Sequence, residues 1–215
     1  MTESAVPVLQ LKSGLTIQGP LAKLRKFCDN EYETYDAVPT AQDAIVTIHD
    51  ILLSVMMNSH LDAKRARSVW LERAKLGAHL AKIPPALALD APEAEIPWET
   101  IVAMFEEFEH TWGTKLAVGS KILHKKRPEL IPIMDDVVRR YYERAYPDFE
   151  WNPKCGPLSG QLMRHFRDDL LAAKPQLEVL ASELLAGGRS LTQVRLLEVL
   201  VWIETEPRGY YRRVA

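Results

Sequence analysis

The chain has 215 residues and a mass of 24.4 kDa, the size of one full domain or of two small ones sharing a core. Its 47% hydrophobic and 26% charged residues exclude the disordered, fibrous and collagen-like classes. The formal net charge of −2 excludes a surface that is cationic throughout, so any nucleic-acid contact must come from a local patch.

The first residues, Met1-Thr2-Glu3-Ser4, carry neither a basic run nor a following apolar run, so no signal peptide is expected. The longest apolar stretch, Ile51 to Met57, is interrupted by Ser54 and is far too short to cross a bilayer, so no membrane partner is expected. Two cysteines, Cys28 and Cys155, do not make a disulfide framework or a cysteine-rich metal site. A reducing cytoplasm is the expected compartment.

In chain order the predicted elements are helices. Residues 1–18 read as an N-terminal arm. Gly19-Pro20 opens a helix with Leu21, Leu24, Phe27 and Cys28 on one face and proline at the tolerated first position. Thr47 and Asp50 form a capping box for Ile48 to Asn58, a segment apolar nearly all round and therefore expected at the centre of the fold. Asp62 precedes a long helix, Ala63 to Lys82, stopped by Pro84-Pro85. Pro97 begins another, with Ile101, Met104, Phe105 and Phe108 inward. Helices are expected over Thr114–Lys125 and Asp136–Ala145, then from Ser159 through Leu170, and from Pro175 to Leu185. Ser190 with Gln193 reads as a capping box for a last helix, Leu191 to Ile203. No stretch alternates cleanly with period two, so strands are at most incidental. The expected fold class is all-α, a single compact multi-helix domain over residues 19–215. The loop 146–158 serves as a lid or a boundary.

The common nucleotide, hydrolase and zinc-protease motifs are absent. His49-Asp50 has the look of a metal-phosphohydrolase doublet, but no histidine precedes it, and Asp50 reads better as a helix-start carboxylate. No metal and no cofactor are expected.

The segment from Trp112 to Arg144 stands apart. Eight basic residues (Lys115, Lys121, Lys125, Lys126, Arg127, Arg139, Arg140 and Arg144) face four acidic ones, Glu129, Asp135, Asp136 and Glu143. Such local positive charge in an acidic chain suits phosphate contacts, or else a solvated helix face.

Its order carries a resemblance. Gly113-Thr114-Lys115-Leu116-Ala117 starts a helix, and twenty positions after Lys115 the run Pro132-Ile133-Met134-Asp135 opens the next. This resembles the helix-hairpin-helix DNA glycosylase superfamily, including its 8-oxoguanine branch. The stretch Ser120-Lys121-Ile122-Leu123-His124-Lys125-Lys126-Arg127-Pro128, continuing to Asp135, resembles more closely an uncharacterised bacterial helical family related to those enzymes.

The resemblance implies a DNA partner and base excision of the glycosylase/lyase kind. Lys115 would be the amine nucleophile, with Asp135 as the carboxylate and Asp136 competing for its role. Gly113, Lys121, His124, Lys125, Lys126, Arg127, Arg139 and Arg140 would contact nucleic acid, and Trp112, Tyr141, Tyr142 or Trp151 would stack on an extruded base. Two alternatives stand beside it: a non-catalytic module binding nucleic acid or protein, and an enzyme acting on a free nucleoside. The sequence leaves the oligomeric state open.

Overall fold

The structure is a computed structural model that describes residues 6–57, 61–109, 116–146 and 156–206. Among these, a two-stranded hairpin and eight α-helices build one large apolar core, with a small second cluster of Tyr35, Leu53 and Ile133.

The hairpin pairs β1 (Val8–Gln10) with β2 (Thr16–Gln18), Leu9 opposite Ile17. Period-two geometry sends Leu9, Leu11 and Ile17 to one face, where all three are buried. Residues 6–18, read from sequence as an arm, thus contribute to the core. Strands of three residues are too short for alternation to register as a pattern. Gly14, at φ +94°, makes the turn possible without a strained side chain. Ser13 fastens the turn to the helix bearing Asp169, its N–H donating to Asp169 Oδ1 at 2.7 Å. Tyr142 donates to Asp169 Oδ2 at 3.0 Å, and Ser13 Oγ meets the Tyr141 hydroxyl.

Helix α1 (Pro20–Glu31) has proline at its start, and Leu21, Leu24, Phe27 and Cys28 are buried as their spacing predicts. Burial pushes the Cys28 thiol up to about 11, so it is a packing residue and not a nucleophile at neutral pH. A single turn of 3₁₀ helix, Tyr32–Thr34, leads into an irregular connection.

Helix α2 (Ile48–Met56) carries the expected capping box: the Thr47 side chain accepts from the Asp50 N–H, and Asp50 Oδ2 accepts from the Thr47 N–H at 2.7 Å. Its position differs from expectation. Only Asp50, Ile51, Leu53 and Ser54 are buried, while Ile48, Leu52, Val55 and Met56 face outward, so α2 lies at the periphery.

The central element is instead α8 (Gln193–Thr205), buried at every position from Val194 to Val201 and packed against α1, α6 and α7. Its cap is Thr192, whose hydroxyl accepts from the Arg195 N–H at 3.1 Å, and not Ser190. The Ser190–Gln193 spacing fits a capping box as well as any, but the Thr192 hydroxyl also donates to the Pro128 carbonyl at 3.0 Å, which fixes the helix start there.

Helix α3 (Ala63–Leu80) is capped by Asp62 and buries Val69, Leu76 and Leu80. A Cβ on its Gly77 would stand 2.7 Å from the Ala44 carbonyl, so glycine permits the close approach of the 35–47 connection. Helix α4 (Trp98–Glu109) buries Ile101, Met104, Phe105 and Phe108 as expected. Helices α5 (Leu116–Lys126) and α6 (Asp136–Ala145) follow.

Helix α7 (Gly156–Ala186) runs unbroken through Pro175. The separate helices expected from Ser159 and from Pro175 are therefore one. Leu171, whose carbonyl Pro175 leaves without a helical N–H, is an exposed residue, as is Pro175 itself. No helix among the described residues is long and apolar enough to cross a membrane.

Candidate functional site

Helix α5 is buried on all sides from Val118 to Lys126, with its polar residues inside. After it the chain turns back along the helix. The Arg127 N–H donates to the Leu123 carbonyl at 2.9 Å. His124 Nδ1–H donates to the Ile131 carbonyl at 2.7 Å, and the Met134 N–H donates to Ser120 Oγ at 3.0 Å. These contacts bring the Pro132-Ile133-Met134-Asp135 run back beside Lys121. Asp135 then caps α6, its Oδ1 accepting from the Val137 N–H at 2.9 Å and the Val138 N–H at 3.0 Å. Asp135 is half-buried and Asp136 is exposed.

Lys121 is 6% exposed and donates to the Met57 carbonyl, at the end of α2, at 2.7 Å. Burial lowers its ammonium pKa, while the carboxylates of Asp135 and Glu198 act in the opposite sense. Helix α8 supplies Arg195 and Glu198 one turn apart, both inside the protein. Arg195 grips Asp36 in a bidentate pair, Nε to Oδ1 at 2.8 Å and Nη2 to Oδ2 at 3.0 Å, and its Nη1 donates to Glu198.

Burial pushes the Glu198 carboxyl up to about 7; Arg195 opposes the shift, and the nearby Asp135 and Asp36 carboxylates reinforce it. For Arg195, burial is outweighed by Asp36 and Glu198, so its pKa is raised and it stays charged. His124 is driven down to about 4 by burial, with Arg195 adding to the effect, and is neutral at physiological pH. Its ring stacks on Tyr35, whose hydroxyl donates to the Lys121 carbonyl at 2.6 Å.

The site thus gathers an amine, a half-exposed carboxylate and a second carboxyl group that titrates near neutrality. A buried carboxyl group with a raised pKa is the kind of group that acid–base work uses.

The rest of the basic run does something else. Lys125 Nζ donates to the Tyr35 carbonyl at 2.8 Å and lies 4.7 Å above the Tyr35 ring. Lys126 Nζ donates to the Ala41 carbonyl at 3.0 Å and pairs with Asp50 at 2.9 Å, both side chains almost wholly buried. Arg127 is 1% exposed and donates to the carbonyls of Ile83, Gln42, Asp43, Lys126 and Leu80. Together the three cations clip the 35–43 connection onto the C-terminal end of α5, where positive charge also suits the helix dipole.

The expectation of an outward basic face at Lys121, His124, Lys125, Lys126 and Arg127 is therefore corrected. A charge run in a sequence carries no direction: Lys125, Lys126 and Arg127 point inward to carbonyls of the irregular connection, and Lys121 and His124 to those of Met57 and Ile131. A hollow of about 270 Å³ beside the clip is lined by Ala44, Leu80, Ile83, Pro84 and Arg127 among others, but by none of Lys121, Asp135 and Glu198.

Arg139 pairs with Glu143 and lies 3.5 Å from Asp136, whereas Arg140 is exposed. Tyr141 and Tyr142 are 8% and 0% exposed. Their hydroxyls are engaged by Ser13 and Asp169, so neither ring is open to a base, and the stacking role expected of them is corrected. Trp112, Gly113, Lys115 and Trp151 lie outside the described residues, as does Cys155.

A family model matches residues 18–205, from the last residue of β2 to the last of α8. The chain belongs to a family of unknown function, DUF6308. Every residue of the Lys121–Asp135–Glu198 site falls within the matched span. Comparison with curated proteins and with solved structures gives no match.

The sequence reading missed Asp36, Arg195 and Glu198. For the last two a signal existed: opposite charges three apart inside the otherwise apolar run 194–201 belong together on one buried helix face. Asp36 gave none, because nothing local marks a loop carboxylate that pairs across the fold.

Proposed function

We propose that this protein works on the bond between a nucleobase and its sugar, in the manner of the helix-hairpin-helix glycosylases its α5–α6 segment resembles. The observation that carries the reading is the placement of Asp135. Asp135 is half-buried, its carboxylate is held at a helix start by two backbone N–H groups, and the buried Lys121 amine and Glu198 carboxyl both feel its charge. As the C1′–N bond breaks, the sugar gains oxocarbenium-like positive charge, which a fixed carboxylate stabilises. In this reading Lys115 is the nucleophile, from its Gly-Thr-Lys context. Lys121, committed to the Met57 carbonyl, sets the positive charge beside Asp135.

The test is borohydride trapping and base release on duplexes bearing oxidised, deaminated or alkylated bases. A trapped adduct abolished by Lys115→Ala, with base release lost in Asp135→Asn, supports the reading. Absence of adduct and of release across the panel sinks excision from DNA.

One observation favours a second reading, a free nucleoside as substrate. Lys125, Lys126 and Arg127 are turned inward and are not offered to a phosphate backbone. Nucleoside hydrolysis that Asp135→Asn abolishes, with no DNA binding even at low ionic strength, would select it.

A further inference from the structure

The outer face of α2 has no role in that site. Ile48, Leu52, Val55 and Met56 are 50%, 54%, 39% and 55% exposed, and Ile45, just before the helix, is 65% exposed. On the helix they fall at i, i+4, i+7 and i+8, one continuous stripe of the kind that packs against another helix. Asp50, the only acidic residue of α2, is turned inward to Thr47 and Lys126. The stripe therefore offers apolar side chains with no fixed charge among them.

We propose that this stripe is the interface of a homodimer, in which α2 packs antiparallel against α2 of a second copy across a two-fold axis. Two features favour a second copy over another partner. An isologous interface sets a patch against itself, which a charged patch opposes and an uncharged apolar one permits. The area also fits. The five side chains leave roughly 500 Å² of apolar surface in water, at the upper end of the largest patch on an ordinary monomer. Two copies face to face bury roughly 1,000 Å² before any rim contact, the threshold for a specific interface. Leu52 lies midway along the stripe, so the axis passes beside it and Leu52 meets Leu52 of the second copy.

Sedimentation equilibrium on the full chain tests this. Wild type is expected to dimerise in the micromolar range, and Leu52→Asp to be monomeric at the same concentrations. The substituted side chain is already exposed in one copy, so the melting temperature measured at concentrations where both chains are monomeric should match. A second measurement fixes the geometry: in a Cys155→Ser background, Leu52→Cys should form an intermolecular disulfide on mild oxidation. Leu71→Cys, exposed on α3, should not. A wild-type chain that stays monomeric, or a dimer that survives Leu52→Asp, overturns the proposal. So does equal cross-linking at both positions.

Discussion

Replacing Glu198 with glutamine should make the protein more stable in mild alkali and leave it nearly unchanged in mild acid. Glu198 is 3% exposed, and its carboxyl is raised from an ordinary 4.5 to about 7. Between those values the folded chain keeps a proton that the unfolded chain has released. This group's contribution therefore falls as pH rises from about 4.5 to 7 and stays at its low value above that. The difference between the two pKa values corresponds to about 3 kcal/mol.

The glutamine side chain has the shape of the protonated acid and keeps an oxygen for Arg195, while Arg195 keeps its bidentate pair with Asp36. Urea denaturation of both proteins at pH 4.5 and 8 reads this group, because titrations that do not feel the Glu198 charge cancel in the difference. The stability gain from Glu198→Gln should be larger by about 3 kcal/mol at pH 8 than at pH 4.5. A gain that does not change with pH, or a loss of stability at pH 8, refutes a buried carboxyl destabilised by ionisation.

Three further outcomes follow from the packing. Arg127→Met should lower stability by about 3–5 kcal/mol in chemical denaturation, since it strands the carbonyls that the guanidinium gathers; Arg127→Lys should recover little of it, because one ammonium does not span the same carbonyls. Gly119→Ala should cost about 1–3 kcal/mol, as the new Cβ would stand 2.9 Å from the Phe108 ring, which must shift within a packed core. Asp135→Ala should lose about 1 kcal/mol of helix capping while Asp135→Asn loses little, a contrast readable in melting temperatures.

Much of the fold could be read from local chemistry. The starts of α1, α2, α3 and α6 are written in Pro20, Thr47, Asp62 and Asp135, each acting on its own next turn. What depended on distant partners was not legible. Both α2 and α8 are rich in apolar residues, and only tertiary packing decides that α8 is enclosed and α2 is not. The run His124 to Arg127 reads as surface because cations usually are. Here Lys125, Lys126 and Arg127 are interior because residues 35–43 form no regular structure and present their carbonyls to them. Pro175 did not break α7, and both it and Leu171, four residues before it, lie on the exposed side of the helix. In the candidate site, Asp135 was visible through its motif, Lys121 through its charge, and Arg195 with Glu198 through their spacing in an apolar run, whereas the pairing of Asp36 with Arg195 required the fold.

Calorimetric binding of a cationic 1-azasugar nucleoside analogue, which carries positive charge where the oxocarbenium ion would, tests the role of Asp135 most directly. Wild type should bind it, and Asp135→Asn should bind about tenfold more weakly or worse, the loss of one charge-assisted contact, with an unchanged melting temperature. Equal affinity in the two proteins, or no binding to wild type, would contradict an anionic side chain poised at a sugar.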